Sequence, residues 1–250
     1  MTSPQETAPS IELVELAKSY GDKRALDGVT LSVQPGEIFG YLGRNGAGKT
    51  TTLSILAGLV RPTSGTVRVL GFDVVEQAIE VKKRIGYVPE SGAVFEKLTP
   101  RESLQIMGAL HGITTSKLGP RVEQLLDAFG LRPACDVRMD TFSKGMKQKV
   151  CIASAIVHDP EVLLLDEPLN GLDVEGVVEV KELIRRHAAA GRTVLYTSHL
   201  VDVVEKLCTR IGVLAAGKLV AVGTPDSLRE LTGADALEDA LVRIWTPASR

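Results

Sequence analysis

An eight-residue segment of the chain has the residue types that bind the phosphates of a nucleotide. Residues 43–50 read GRNGAGKT and match the pattern G-x-x-x-x-G-K-[ST]. The glycines let backbone N–H groups curve around phosphate oxygens, and the N-terminus of a following helix adds positive potential. Lys49 can then reach the β- and γ-phosphates, and the hydroxyl of Thr50 can ligate Mg²⁺. The segment predicts a site for a nucleoside triphosphate and its magnesium ion.

Two acidic residues further along could handle the metal ion and the attacking water. Residues 162–165 (VLLL) predict a buried strand that runs directly into Asp166 and Glu167. The carboxyl ends of parallel strands form the ligand-binding edge of an α/β sheet. Asp166 would hold Mg²⁺ through water, and Glu167 would polarise the water that attacks the phosphate. Many strands end in acidic loops, so this pair alone is weak evidence. It becomes informative because the phosphate-binding segment precedes it in the chain.

The elements around these motifs alternate between strands and helices. Apolar patterns and turn residues predict strands at residues 11–16, 29–33, 38–42, 66–70, 85–88, 162–165 and 193–196. Helices are predicted at residues 50–59 and 174–190, and a late hairpin at residues 211–214 and 218–222. Such alternation implies a mostly parallel sheet with helices on both faces. It also places the glycine-rich segment between a strand and a helix, as its chemistry requires.

One stretch, at about residues 90–149, breaks the alternation. Thr99 and Glu102 have the spacing of a capping box at the start of a helix. Apolar residues at helical spacing within residues 122–129 predict a second helix, which Gly130 can end. Two helices without a strand between them predict a helical insert in an otherwise alternating chain.

Composition and charge exclude several other functions. The net charge is −2 and aromatic residues make up 4% of the chain, so we expect no nucleic-acid partner. No run of about 18 apolar residues occurs, and residues 1–10 lack the apolar core of a secretory signal. We therefore expect no membrane span within the chain. Cys135, Cys151 and Cys208 lack C-x-x-C spacing and are expected to be buried or incidental thiols.

Together these motifs resemble the ATP-binding-cassette (ABC) family, over about residues 11–222. Residues 142–146 (FSKGM) are similar to the family signature Leu-Ser-Gly-Gly-Gln, and residues 170–173 (NGLD) resemble the loop that links the two sites of a dimer. Tyr20 lies where these proteins place an aromatic residue on the adenine, and His199 resembles the switch histidine at the γ-phosphate. His111, His158 and His187 fit no motif, and we expect them to be structural or at the surface.

The resemblance implies a fold, with a P-loop NTPase core on a mostly parallel sheet, an N-terminal antiparallel β subdomain and an inserted helical subdomain. The implied segments are a disordered start at 1–10, an ABC ATPase domain at 11–223 and a C-terminal helical extension and tail at 224–250. The implied catalytic residues are Glu167, His199 and Lys49. The implied ATP-binding residues are Tyr20, Gly43, Arg44, Asn45, Gly46, Ala47, Gly48, Lys49, Thr50, Thr51, Ser143 and Gly145. The implied Mg²⁺ ligands are Thr50, Asp166 and Glu90.

The resemblance also implies partners. Two cassettes, as a homodimer or as a heterodimer with a second cassette, would close head-to-tail around two Mg-ATP and power a separate transmembrane permease. The chain would then be cytoplasmic and peripheral on the inner face of the cell membrane. Residues 90–96, with apolar Val94 and Phe95, are similar to the loop that contacts short cytoplasmic helices of the transporter.

Three positions depart from the family pattern. Lys144 replaces the usual glycine of the signature and Met146 the usual glutamine, while Glu90 stands where most members have glutamine. Glu90 can still ligate Mg²⁺, but it adds negative charge near the phosphates. These departures are similar to those in cassettes that serve bacterial drug, lipid or antibiotic exporters, so the resemblance favours export.

Other functions remain open at this point. A P-loop GTPase usually has an Asn-Lys-x-Asp segment, and none occurs here. A soluble ABC ATPase that acts on DNA or ribosomes typically has two cassettes or a long coiled coil, and neither pattern is present. A purely regulatory nucleotide-binding module would not need the carboxylate of Glu167.

Overall fold

The computed structural model describes residues 8–246, which form two β-sheets and surrounding helices. The strands are β1 (Ile11–Tyr20), β2 (Lys23–Val33), β3 (Ile38–Gly43), β4 (Ser64–Val69), β5 (Phe72–Asp73), β6 (Ile85–Val88), β7 (Val162–Asp166), β8 (Thr193–Thr197), β9 (Arg210–Ala215) and β10 (Lys218–Gly223). The helices are α1 (Lys49–Leu56), α2 (Ala78–Arg84), α3 (Pro100–Leu110), α4 (Thr115–Ala128), α5 (Lys144–Ile156), α6 (Val174–Ala189), α7 (Val201–Leu207), α8 (Pro225–Thr232) and α9 (Leu237–Trp245).

A six-stranded sheet forms the centre of the molecule, in the order β10-β9-β3-β8-β7-β6. All neighbouring pairs in it are parallel except β9 and β10. Every residue of β3, β7 and β8 is buried, which explains their continuous apolar sequences. Because these strands are parallel, the residues that follow β3, β6, β7 and β8 all emerge at one edge of the sheet. The predicted α/β core is therefore confirmed.

A second sheet is antiparallel, in the order β2-β1-β4-β5. It is the N-terminal β subdomain that the resemblance implied. Strands β1 and β2 are longer than the sequence predicted. Register shifts at Leu13–Leu16 and Leu16–Lys18 interrupt the alternation of apolar residues on which the strand prediction is based. Tyr20 and Lys23 lie opposite each other in the register of β1 and β2, at the turn of this hairpin.

Helices α3, α4 and α5 lie between β6 and β7 along the chain; α3, α4 and the start of α5 fall within the helical insert predicted at about residues 90–149, and α5 continues past it to Ile156. The capping box of α3 is present, since the Thr99 side chain accepts from the backbone N–H of Glu102 and the Glu102 carboxylate accepts from that of Thr99. Val122, Leu125 and Leu126 of α4 are buried in the core that also contains residues of β7 and β8. This insert therefore packs on the central sheet.

The C-terminal helices pack both on α7 and directly on β9 and β10 at the edge of the central sheet. Buried Leu237 and Leu241 of α9 join the same core as Val204 of α7, and Arg229 of α8 forms an ion pair with Glu205 of α7 at 2.8 Å. The expectation of disorder at residues 1–10 lies mostly outside the described residues. Ser10 itself is buried, and its backbone is hydrogen-bonded to β2 and to Leu70.

Three short elements were not predicted: β5, α2 and α7. They have two to seven residues, and α2 buries one side chain, so none of them shows a clear apolar period. Within residues 8–246, none of the helices has both the length and the apolar content needed to cross a bilayer. Cys135, Cys151 and Cys208 are all buried.

Candidate functional site: a phosphate cradle and a separate signature surface

The glycine-rich loop connects β3 to α1 and packs tightly against β2. Gly48 has a φ of 114°, and a Cβ there would lie 2.6 Å from Cδ2 of Leu26 and 2.7 Å from the carbonyl oxygen of Ala25. Only glycine fits this position, both for conformation and for space. Lys49 begins α1, is 8% exposed, and donates from Nζ to the carbonyl oxygen of Gly43 at 2.6 Å. The ammonium group of Lys49 is thus hydrogen-bonded to the backbone of its own loop.

A cavity of about 320 Å³ opens above this loop. It brings together ten of the residues predicted for ATP, Mg²⁺ or catalysis: Tyr20, Asn45, Gly46, Gly48, Lys49, Thr50, Thr51, Glu90, Asp166 and Glu167. Gly43, Arg44 and Ala47 belong to the same loop but do not line the cavity. Tyr20 is half exposed at the rim, and the ammonium group of Lys18 lies 4.9 Å from the centroid of its ring. The geometry suits a nucleotide with its phosphates on the loop and its base near Tyr20.

Asp166 is held in one orientation and keeps one oxygen available. Its Oδ1 accepts from the hydroxyl of Thr197 at 2.6 Å, whereas its Oδ2 is buried and has no hydrogen-bond partner among residues 8–246. A buried carboxylate oxygen without a partner is costly, so such an atom is a fitting acceptor for a metal-bound water. Thr50 and Glu90 supply a hydroxyl and a second carboxylate in the same cavity. This set of oxygen donors fits Mg²⁺.

Glu167 lies at the end of β7 in a strained backbone conformation. Its φ is 49°, in the left-handed region that residues other than glycine seldom occupy. Its backbone N–H donates to the Thr197 hydroxyl at 3.0 Å, and its carbonyl oxygen accepts from the N–H of Asn170 at 3.1 Å. The surrounding contacts therefore fix the backbone of this residue and aim its side chain.

The carboxylate of Glu167 is only slightly exposed and is paired with His199. Oε2 accepts from Nδ1 of the His199 ring at 2.9 Å, while most of that ring remains exposed. His199 follows β8, the neighbour of β7, so the parallel register brings the two side chains together. The sequence predicted both residues but not this contact.

The signature-like residues do not reach this cavity. Ser143 caps α5, its hydroxyl accepting from the N–H of Met146 at 3.2 Å. Ser143 and Gly145 line a different cavity of about 310 Å³, together with Gly171 and Asp173. The two cavities share no lining residue. Within one copy of the chain, the phosphate loop and the signature-like residues therefore lie in separate cavities.

Some residues of the site were missed from the sequence. Lys23 and Ala25 of β2 line the cavity beside Tyr20, and Thr197 supports the Asp166 carboxylate and the backbone N–H of Glu167. The two-residue turn after Tyr20 signals that Lys23 pairs with it, so Lys23 could have been found. Thr197 could not, because its role depends on β8 lying beside β7.

An apolar groove of about 450 Å³ runs beside the segment that follows Glu90. Its lining includes Val94 and Phe95, Met107 of α3, and His111, which directly follows α3. Phe95 is 68% exposed, which is unusual for so large an apolar side chain. The rings of His111 and His158 stack in this groove with their centroids 3.5 Å apart.

A comparison with protein-family models identifies the chain. The model described as ABC transporter matches residues 26–170, which include the phosphate loop, both carboxylates and the signature. The chain belongs to the ABC transporter family. It is an ATP-binding subunit of that class and an ATPase, as the cavity chemistry led us to expect. Tyr20 and His199 lie outside the matched segment.

Known relatives agree with this assignment. The chain is 37% identical over 227 residues to the linearmycin resistance ATP-binding protein LnrL of Bacillus subtilis (strain 168), covering 91% of this chain and 73% of that protein. A solved ATP-binding subunit of an ABC transporter is 30% identical, with a TM-score of 0.88 and coverage of 94% of this chain and 98% of the other. The cassette MJ0796, solved as a dimer in a post-hydrolysis state with ADP and Pi, shares the fold with a TM-score of 0.79 at 24% identity, covering 86% of this chain and 98% of its own.

Proposed function

We propose that this ABC ATPase works as a head-to-tail dimer around two Mg-ATP and powers export through a separate membrane permease. The observation that carries the proposal is the separation of the phosphate cavity from the signature surface on one chain. An exposed helix N-terminus such as that of α5 favours an anion, and the γ-phosphate on a facing copy would supply one. Two copies related by a twofold axis would complete both sites at once.

In this proposal the phosphate loop and Lys49 bind the β- and γ-phosphates, and Tyr20 stacks on the adenine. Thr50, Glu90 and, through water, Asp166 hold Mg²⁺. The chemistry that a bound Mg²⁺ supplies is neutralisation of charge on the β- and γ-phosphate oxygens. Glu90 and Lys144, which both depart from the family pattern, would place one additional negative and one additional positive charge near the triphosphate. The net local charge is therefore unchanged.

Glu167 is the proposed base for the attacking water. The water oxygen forms a bond to the γ-phosphorus as the bond to the bridging oxygen of ADP breaks, and the water proton passes to the Glu167 carboxylate. His199 holds that carboxylate through Nδ1 and leaves the rest of its ring exposed toward solvent or ligand. Positioning of water, rather than covalent chemistry, is the contribution of these two side chains.

The proposed permease contact is the apolar groove lined by Val94, Phe95, Met107 and His111. Its occupant would be a short helix of the membrane subunit with an apolar face. The groove adjoins Glu90, so closure of the ATP dimer would be transmitted to that helix. With such a partner, the chain would lie on the cytoplasmic face of the cell membrane. The name of LnrL, a resistance protein, supports export as the direction.

The test of the dimer and of the base uses Glu167→Gln. The variant should bind ATP with unchanged affinity, lose at least about 100-fold in turnover because general-base catalysis contributes on the order of 10²–10⁴ in rate, and accumulate a dimer in ATP. Glu76→Gln, at an exposed acid in the turn after β5, is the matched control and should behave as the unmodified protein. Native turnover in Glu167→Gln, or trapping of monomer alone, would refute the proposal.

The permease contact is tested separately with Phe95→Asp. This charge in the groove should leave the ATPase of the isolated chain intact and abolish stimulation by membranes that contain the co-expressed permease. Leu231→Asp, at an equally exposed apolar residue of α8, is the control and should remain stimulated. Association of the purified chain with ribosomes or DNA, without a membrane protein, would favour the soluble ABC ATPase instead.

A further inference from the structure

A buried glutamine in the signature helix touches the loop that carries Glu167. Gln148 of α5 is 1% exposed, and its Nε2 donates to the carbonyl oxygen of Pro168 at 3.0 Å. Pro168 directly follows Glu167, whose backbone is already in the left-handed region. The amide of Gln148 therefore adds a third hydrogen bond to the backbone of residues 167–168, a segment that needs several contacts to hold its strained conformation.

The same side chain packs against the loop that follows Glu90. A Cβ built on Gly92 would lie 2.4 Å from Oε1 of Gln148, and the φ of Gly92 is 58°. The N–H of Gly92 donates to the carbonyl oxygen of Pro89 at 3.1 Å and so closes a turn across Glu90. Gly92 is thus required for space as well as for conformation, and the backbone there rests directly on the Gln148 amide.

Gln148 is also fixed to the signature. It lies five residues after Ser143 on one continuous helix, which corresponds to about 7.5 Å along the helix axis. A helix moves as a unit, so any displacement of its N-terminus carries the buried amide with it. The side chain has no room to adjust independently because it is enclosed between the Glu167 loop and the Glu90 loop.

We infer that Gln148 is a positioning residue that couples the signature helix to the Glu167 and Glu90 loops. When the N-terminus of α5 engages the triphosphate of a facing copy, Gln148 shifts both loops together and brings the Glu167 carboxylate into line. The inference rests on the proposed function and extends it to regulation of the same site. It predicts that Gln148 affects turnover and coupling, whereas the affinity for ATP depends on the phosphate loop.

The first test is Gln148→Met, which keeps the volume and helix preference of the side chain but removes the amide. The kcat of the purified chain should fall by about 10- to 100-fold, with the KM for ATP changed less than about threefold, because the Glu167 loop loses its positioning contact while the phosphate loop is intact. Stimulation by the permease should fall in parallel. Gln105→Met, at an exposed glutamine of α3, is the matched control and should retain native kcat.

The second test approaches the contact from its other side. Gly92→Ala pushes a methyl group toward Oε1 of Gln148 and should lower kcat with little change in KM, as Gln148→Met does. Gly112→Ala is the matched control: Gly112 has a φ of 76° and nothing within 4 Å of an added Cβ, so it carries the backbone strain without the contact. Gly92→Ala also keeps the inference testable if Gln148→Met does not fold.

The outcomes separate this inference from the proposed function. Native kcat in Gln148→Met or in Gly92→Ala, or a raised KM with unchanged kcat, would overturn the inference while the dimeric ATPase stands. Equal losses of kcat in Gly92→Ala and Gly112→Ala would also overturn it, since strain alone would then explain them. An unmodified protein that neither dimerises in ATP nor hydrolyses it would instead refute the proposed function.

Discussion

His199 donates from Nδ1 to Oε2 of Glu167 across 2.9 Å, and the two residues follow neighbouring parallel strands. The contact exists because Asp166 of β7 is in register with Thr197 of β8. The residue after one strand and the second residue after the other then meet at the sheet edge. Here the register of the sheet, rather than any local motif, assembles a carboxylate with its hydrogen-bond donor.

Replacement of this donor should impair catalysis without impairing binding. We expect His199→Ala to lower kcat by about 10- to 100-fold, because the Glu167 carboxylate loses the group that orients it. ATP affinity, measured by equilibrium dialysis, should change little since the phosphate loop is intact. His199→Gln, whose amide can still donate, should retain more activity than His199→Ala. Equal activity of the two variants would argue against the hydrogen bond as the cause.

Thr197→Val should affect the same site through the Asp166 carboxylate and the backbone of Glu167. The substitution is nearly isosteric, but it removes the donor to Asp166 and the acceptor for the N–H of Glu167. Loss of partners for buried polar groups should lower the free energy of unfolding by about 1–3 kcal/mol. We also expect a higher Mg²⁺ concentration for half-maximal ATPase. Thr209→Val, at an exposed threonine away from the cavity, should leave the Mg²⁺ dependence unchanged, and a shift there as large as in Thr197→Val would contradict the assignment.

The order of the chemical motifs was predictable because each one is local. The glycine-rich loop, the acids after β7 and the cap of α3 are all encoded within a few residues. Strand order is not local, so the sequence could not show that Thr197 supports Asp166 or that the amide of Gln148 touches Pro168. The full length of β1 was not predicted for a different reason: its bulges break the alternation of apolar residues on which strand prediction depends.

One buried histidine, His187, and one partly buried histidine, His158, should make the protein sensitive to acid. His158 donates from Nε2 to the carbonyl oxygen of Ile85 and stacks on His111. Burial lowers the pKa of His158 to about 4, and burial likewise lowers the pKa of His187 to about 4. Their unfolded forms take up protons near pH 6.5, so stability should be full above that pH and decline toward pH 4.

His158→Gln isolates one of these contributions. Its amide can still donate to Ile85, but it does not titrate between pH 4 and 6.5. Urea unfolding at several pH values should give a shallower decline than in the unmodified protein, by at most about 1.4 kcal/mol per pH unit and less because His158 is partly exposed. An unchanged slope would show that His158 does not titrate on unfolding. Asp159, Arg121 and the ring of His111 are the ionisable neighbours that modify this response.

The most direct test of the composite site is a charge placed at the signature of a protein that traps ATP. Ser143→Asp keeps the cap of α5, because aspartate is as good an N-cap as serine, but it puts a negative charge where the γ-phosphate of the facing copy would lie. Thr224→Asp, at the similar cap of α8, is the matched control. Sedimentation in ATP compares both substitutions in the Glu167→Gln background. The account predicts dimers for Glu167→Gln and for the Thr224→Asp control, and monomers that still bind ATP for Ser143→Asp; undiminished dimers of Ser143→Asp would contradict it.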